Sequence, residues 1–234
     1  MKVAVMQPYF VPYIGYWQLM NIVDKYVIYD DANYIKGGWI NRNRILINGQ
    51  ARYFNVPIVG SSPNKKINEI KVNQTELLVR KNMRTIEFAY KKAPFYADVY
   101  PLVEKILYCD KENLVEFVRN SFDVISNYLG ITPDFILSSS IQKDNRLKGQ
   151  DRLLSICEVL GATEYYNSLG GMSLYTFEAF RKKNMRLYFL KSGDIKYMQY
   201  DSAFQENLSI IDVMMFNSKE EIRKMLNDYV TITD

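Results

Sequence analysis

The sequence predicts an α/β fold: a Rossmann-like, mostly parallel sheet with helices on both faces, a β-hairpin and a helical insertion or appendage. Three observations carry that expectation. The chain opens on a short apolar run, Lys2–Met6, that leads through a turn into a helix-patterned segment and then a second apolar run. Its last third returns to the same strand–helix alternation, the rhythm of parallel strands joined by crossover helices. Between them lie three long segments with helical periodicity, and there is no internal repeat or low-complexity tract.

Taken in order, residues 2–6 read as a buried strand, 15–23 as a helix and 26–29 as a second strand ending at Asp30-Asp31. Residues 44–47 and 52–56 flank Asn48-Gly49, the pair that most readily adopts the two positive φ angles of a tight hairpin turn. A loop follows at 60–65, then helices at 75–90, 99–108 and 113–128, the last capped by Gly130 with Pro133 beyond it. Residues 135–137 read as a strand, 150–160 as a helix closed by Gly161, and 164–167 as a strand. A helix at 175–183 and a strand at 186–190 complete the alternation, and helices at 209–216 and 218–229 close the chain. The second of these begins with a Ser-Lys-Glu-Glu capping box. One α/β domain spanning 1–234 is expected, with a helical middle around 75–130.

Composition narrows the function classes. With 48% hydrophobic and 24% charged residues, the 234-residue chain can bury a large core. A net charge of +4, without a block of like charges, gives little electrostatic support to a nucleic-acid or membrane-surface role, but leaves a small anionic ligand compatible. The chain has no histidine, so Ser-His-Asp and Cys-His catalysis and His-ligated metals are excluded within one chain. Proton transfer must use Asp, Glu, Lys, Tyr, Cys or the substrate. Cys109 and Cys157 sit in apolar helical contexts, which fits buried reduced thiols. The opening apolar run stops at Gln7-Pro8 without a cleavage pattern, and no run is long enough to span a bilayer, so a cytoplasmic location and no membrane span are expected. No metal site is assigned.

Three constellations could carry chemistry. The first is the turn Gln7-Pro8-Tyr9-Phe10-Val11-Pro12-Tyr13-Ile14-Gly15-Tyr16, at the carboxyl end of the first strand and the start of a helix. Ligands bind in that position in open α/β sheets, and free N–H groups at a helix start suit phosphate. Its placement and spacing match the H-x-G-H element of nucleotidyltransferases, with Tyr13 and Tyr16 where the histidines would stand. Gln7, Pro8, Tyr13, Gly15 and Tyr16 are therefore the expected cofactor-binding residues, for ATP if ATP is used. A tyrosine brings no positive charge at neutral pH, so cations must come from elsewhere.

Lys36-Gly37-Gly38-Trp39-Ile40-Asn41-Arg42-Asn43-Arg44 is the expected source of that charge. Lys36 and Arg42 are catalytic candidates, with Arg44, Asn41 and Asn43 as substrate-binding candidates and Trp39 as a flat surface for a base or sugar. Alternation along an extended stretch puts Arg42 and Arg44 on one side. Asp30 and Asp31, at a strand end, are candidates to hold Mg2+ or accept the proton of an attacking amine. The third constellation is the loop Asn167-Ser168-Leu169-Gly170-Gly171, in which Asn167, Gly170 and Gly171 are expected to wrap an anion or a sugar.

The segments MQPYFVPYIGYWQL, YDDANYIKGGWINRNRIL, NSLGG and NLSIIDVMMFNS together resemble the WbqC-like family of bacterial proteins, over nearly the whole chain. What the resemblance implies is a cytoplasmic protein associated with O-antigen and other surface-polysaccharide (lipopolysaccharide) biosynthesis, and a glycine transferase acting on an amino sugar. Resemblance and residues together give an expected enzyme that attaches an amino acid, glycine, to the amine of a nucleotide-linked amino sugar such as a dTDP-linked dideoxy sugar. The amino acid donor is activated by ATP with Mg2+, or arrives already activated as a thioester or an aminoacyl-tRNA. The alternative is a non-catalytic nucleotide-sugar binding or scaffolding protein of a polysaccharide pathway. Met214-Met215-Phe216 fits a core helix, with a homodimer contact as the other reading.

Overall fold

The opening apolar run becomes the centre of a six-stranded sheet in the computed structural model, which describes residues 1–200 and 203–234. Strand β1 (Lys2–Met6) leads into α1 (Ile14–Ile22) and then β2 (Lys25–Ile28), which pairs parallel to β1. The hairpin β3 (Arg42–Ile47) and β4 (Gln50–Asn55) follows, with a second small antiparallel pair, β5 (Ile58–Val59) and β6 (Lys71–Val72). Helices α2 (Glu76–Tyr90), α3 (Tyr96–Leu107) and α4 (Leu114–Leu129) form the helical middle. The chain then returns to the sheet as β7 (Asp134–Leu137), α5 (Gly149–Val159), β8 (Glu164–Ser168), α6 (Phe177–Arg181) and β9 (Arg186–Ser192). It ends in α7 (Ile210–Phe216), α8 (Lys219–Leu226) and β10 (Tyr229–Ile232).

The sheet order is β10-β9-β8-β1-β2-β7, parallel throughout except for β10 at the edge. From β1 the chain winds outward through β2 to β7, then crosses back to lay β8 on the other side of β1, with Lys2, Val3 and Ala4 opposite Glu164, Tyr165 and Tyr166. That reversal is the topological switch point of a doubly wound sheet, where ligands bind beyond the strand ends. Successive residues of each strand serve opposite faces. Ala4, Tyr26, Ile28, Tyr166 and Leu190 join the larger core with α1, the hairpin, α2–α4 and α7–α8, whereas Val3, Val5, Val27, Tyr165 and Phe189 join a second core with α5 and α6. Both faces are covered, so the strands read as apolar runs.

Local chemistry explains the element ends. Asn48 and Gly49 take φ of 51° and 71°, which closes the hairpin in the mirror-image turn that matches strand twist. The Asn113 side chain accepts hydrogen bonds from the N–H groups of Val115 and Glu116 at the start of α4, and Gly130 at φ 73° ends it. Ser218 and Glu221 form the reciprocal cap of α8.

Two sequence expectations are corrected. The last helix stops at Leu226, not 229, because Asn227 caps it and the β-branched stretch that follows pairs with β9 as a sixth, antiparallel strand. The expected helix 175–183 shortens to α6, since Leu169–Leu174 coil into 3-10 turns that take up the preceding chain. Met214 and Met215 are fully buried in the larger core. Among the described residues, no helix is long and apolar enough to cross a membrane.

Candidate functional site

A cleft of about 720 Å3 opens at the switch point. Its floor is the carboxyl ends of three adjacent parallel strands and the residues that follow them: Met6 and Gln7 at the end of β1, Asn167 to Gly171 at the end of β8, and Leu190 to Asp194 at the end of β9. Its walls are tyrosines: Tyr9, Tyr13 and Tyr16 from the turn and α1, Tyr29 after β2, Tyr175 before α6 and Tyr197. Asn167 is buried, its amide donating to the Tyr165 hydroxyl at 2.8 Å while its Oδ1 accepts from the Ser168 N–H at 2.7 Å. Gly171 is needed there, because a Cβ on it would lie 2.8 Å from Asn167 Oδ1.

The aromatic turn is held in a strained conformation. Val11 sits at φ 37°, a region that a β-branched residue adopts only when its surroundings impose it, at a cost of about 1–3 kcal/mol. Those surroundings are visible. Asn43 Nδ2 donates to the carbonyls of Phe10 (3.0 Å) and Val11 (3.1 Å), Ser209 Oγ donates to the Val11 carbonyl (2.7 Å), and the Phe10 N–H donates to the Trp39 carbonyl (3.0 Å). Trp17 Nε1 and the Ile210 N–H both donate to the Pro12 carbonyl. The turn is thus fastened to the Trp39–Arg44 segment and to α7. Tyr9 stacks on Tyr16 at 4.9 Å between ring centroids, and burial pushes the Tyr16 phenol well above its ordinary value, so it stays protonated. The Tyr13 ring folds back over Gly15, where a Cβ would meet it at 2.5 Å. A phosphate reaching the first N–H groups of α1 would have to displace that ring.

A second pocket of about 210 Å3 adjoins the cleft and shares Tyr9, Tyr13, Tyr16 and Asn207 with it. Its remaining wall is Pro12, Trp39, Asn43 and Arg44. Arg44 Nη2 donates to the carbonyls of Glu206 (3.4 Å) and Asn207 (3.2 Å), while its Nε is buried without a partner.

The expected site residues therefore divide. Gln7, Tyr13, Tyr16, Asn167, Gly170 and Gly171 line the cleft, and Trp39, Asn43 and Arg44 line the side pocket with Tyr13 and Tyr16. Pro8 is buried and Gly15 lies beneath the Tyr13 ring. Lys36 is exposed and lines neither cavity. Arg42 lines neither, because it closes its own loop: Nε donates to the Gly38 carbonyl at 3.0 Å, Nη2 to the Gly37 carbonyl, and the guanidinium lies 4.3 Å from the Tyr53 ring centroid. Asn41 bridges the Tyr34 hydroxyl and the Val56 carbonyl.

Asp30 and Asp31 line neither cavity. Asp30 accepts from the Ser139 N–H (2.8 Å) and Asn68 Nδ2 (3.1 Å). Asp31 is buried against Lys143 (2.9 Å), whose side chain is 1% exposed, and Arg152 (2.5 Å). Burial by itself would raise the Asp31 carboxyl, but the Lys143 hydrogen bond and the two positive charges overcome it and hold it below the ordinary carboxylate value. Two cations already compensate Asp31, and this opposes a divalent ion there, so the pair does not fit Mg2+. Arg152 also lies over the ring of Tyr29, 5.4 Å from its centroid, and so ties this cluster to the cleft wall.

Reading residues alone missed Tyr9, Tyr29, Tyr175 and Tyr197 as wall residues, Asp194 and Glu206 as the carboxylates lining the cleft among the described residues, and Lys143. Tyr9 lay within a singled-out motif, but the others carry no local signature. Asp212 is a further buried carboxyl, accepting from Tyr90, Tyr197 and Gln199 at 2.7 Å each. Burial raises it above its ordinary value despite those bonds.

Two comparisons with known proteins cover nearly the whole chain. An uncharacterized protein of Mycobacterium tuberculosis, Rv1507c, is 30% identical over 220 residues, covering 92% of this chain and 93% of that protein. No solved structure matches the chain. The model of the WbqC-like protein family matches residues 7–224, from the aromatic turn at the floor of the cleft into α8. By that match the chain belongs to the WbqC-like protein family, which points to a polysaccharide-related role.

Proposed function

We propose that this protein is a transferase of O-antigen or surface-polysaccharide biosynthesis that attaches an amino acid, glycine, to the amine of a nucleotide-linked amino sugar. The observation that carries the reading is the tyrosine-walled cleft at the switch point, joined to a smaller pocket lined by Trp39 and Arg44. A sugar or base suits such walls, since aromatic rings supply flat apolar contact and phenol, amide and backbone groups supply directed hydrogen bonds. The nucleotide sugar lies in the cleft over the ends of β1 and β8, and the acyl group lies in the side pocket. Tyr9, Tyr13 and Tyr16 stand at their common wall, where the reacting centres meet.

The sugar amine attacks the acyl carbon, a C–N bond forms, and the bond from that carbon to its leaving oxygen or sulfur breaks. The amine proton passes to the leaving group or to Glu206 or Asp194, the carboxylates at the cleft. Arg44 stabilises negative charge that develops on the acyl oxygen. The donor is a free amino acid activated by ATP, or a thioester or aminoacyl-tRNA activated beforehand. These residues act in the same way in each case.

Incubation with dTDP-4-amino-4,6-dideoxyglucose and glycine plus ATP, or with a glycyl thioester or glycyl-tRNA, tests the reading by mass spectrometry. The expected result is an amide adduct of the sugar nucleotide with one donor. A second reading, a non-catalytic nucleotide-sugar binder, is favoured because Lys36 and the self-sequestered Arg42 line neither cavity. Tight binding of the sugar nucleotide with no adduct from any donor establishes that second reading and overturns the first.

A further inference from the structure

We infer that the solvent face of α2 docks on an anionic lipid surface. This face is separate from the cleft, because α2 contributes a lining residue to neither the cleft nor the side pocket. The helix turns Val79, Met83, Ile86, Ala89 and Tyr90 into the larger core, and its opposite side meets water. Five cations stand exposed on that side and just past the last turn, Arg80, Lys81, Arg84, Lys91 and Lys92, against two exposed carboxylates, Glu76 and Glu87. That is a net charge of +3 on one helix face of a chain whose total is +4. The cations are spread along the sequence without forming a block of like charges, and the helical turn gathers them.

Two large apolar side chains stand in the middle of this charge. Leu77 is 78% exposed and Phe88 60%. Leu77, Lys81, Arg84 and Phe88 follow one another at intervals of four, three and four residues, which keeps them within about 60° of arc on a stripe about 16 Å long. The carboxylates stand to one side of it. Glu76 is paired with Arg80 at 2.5 Å, and Glu87 faces α3, where its charge adds to burial in raising the phenols of Tyr96 and Tyr100. Among the described residues, no carboxylate pairs with Lys81, Arg84, Lys91 or Lys92.

An anionic bilayer answers both halves of this face. Lysine and arginine reach lipid phosphates on long apolar stems, while a leucine and a phenylalanine between them enter the boundary of the acyl chains. Attraction to anionic lipid acts within about a Debye length of the surface, so a helix lying flat brings all five cations into range together. The phosphates of a nucleic acid would match the same charges. They would leave Leu77 and Phe88 in water, and so the apolar pair favours lipid.

The test is co-sedimentation of the intact protein with vesicles, of phosphatidylcholine alone or of phosphatidylcholine and phosphatidylglycerol at about two parts to one. The expected result is partition onto the mixed vesicles about tenfold or more above that onto phosphatidylcholine, falling as salt is raised. Lys81→Gln/Arg84→Gln removes charge and Leu77→Gln/Phe88→Gln removes apolar contact. Each double variant should weaken partition about tenfold or more. All four side chains are exposed, so both proteins should melt as the wild type does.

Equal partition onto both kinds of vesicle, no partition onto either, or unchanged partition in either double variant overturns the docking face. Salt-sensitive binding of a labelled RNA duplex, lost in Lys81→Gln/Arg84→Gln but kept in Leu77→Gln/Phe88→Gln, would assign the cations to nucleic acid and overturn it as well. Should a double variant unfold, its two single variants replace it, each with an expected loss of about threefold or more.

Discussion

Gly15→Ala separates stability from function at the aromatic turn. The added Cβ would lie 2.5 Å from the Tyr13 ring, whereas ordinary contact begins near 3.4 Å, so the ring must retreat by about 1 Å. The backbone need not move, because the opposing atoms are the far end of a side chain that is only partly buried. Alanine is the better helix former by up to about 1 kcal/mol, and less in a first turn. For a chain of this size that corresponds to a melting temperature higher by at most roughly 2–4 °C. Tyr13 belongs to both cavities, and a displacement of about 1 Å at a shared wall is expected to cost roughly ten- to a hundredfold in affinity for dTDP-4-amino-4,6-dideoxyglucose. Thermal melts and calorimetric titration read the two quantities. In a Tyr13→Ala background the same substitution should cost nothing further. Unchanged affinity in the single variant, or a melting temperature lower by several degrees, refutes the reasoning.

Three further outcomes are expected. Asp31→Ala leaves Lys143 buried without its counter-ion and should destabilise by about 3–5 kcal/mol in urea unfolding; a loss under 1 kcal/mol would mean that the cluster is not closed. Because the Asp31 carboxyl is held low, its contribution is complete above the ordinary carboxylate value of about 3.9 and fades as pH falls below it. Asn43→Ala strips two donors from the Phe10 and Val11 carbonyls, and chemical unfolding should show a loss of about 2–4 kcal/mol, with faster hydrogen exchange through the turn. Asp212 has the opposite sign to Asp31. Its folded carboxyl is raised, so the wild type should lose stability relative to Asp212→Asn as pH rises above the unfolded carboxylate value, and parallel melting curves across that range would contradict the burial of its charge.

The parallel core was legible because β1 is a continuous apolar run buried on both faces, and the hairpin because Asn48-Gly49 admits one kind of turn. The edge strand β10 was not, since a four-residue stretch after a charged helix offers too short a pattern to distinguish strand from helix end. At the site, the aromatic turn and the Trp39–Arg44 stretch could be singled out from residue types, and they do meet at one pocket. The direction of each cation could not. Arg42 and Arg44 share a face by alternation, yet one turns onto carbonyls of its own loop and the other onto the pocket. Lys143 lies 112 positions from Asp31, and nothing local marks such a pair. The glycine loop after β8 was readable, whereas the wall after β9 was assembled by packing alone.

A crystal structure with dTDP-4-amino-4,6-dideoxyglucose bound tests the central claim most directly. The expected complex places the sugar nucleotide across the carboxyl ends of β1 and β8, between the Tyr9–Tyr16 stack and the Asn167–Gly171 loop, with the sugar amine facing the side pocket. Density for the nucleotide on the exposed surface around Lys36, with the tyrosine-walled cleft filled by solvent, would contradict it.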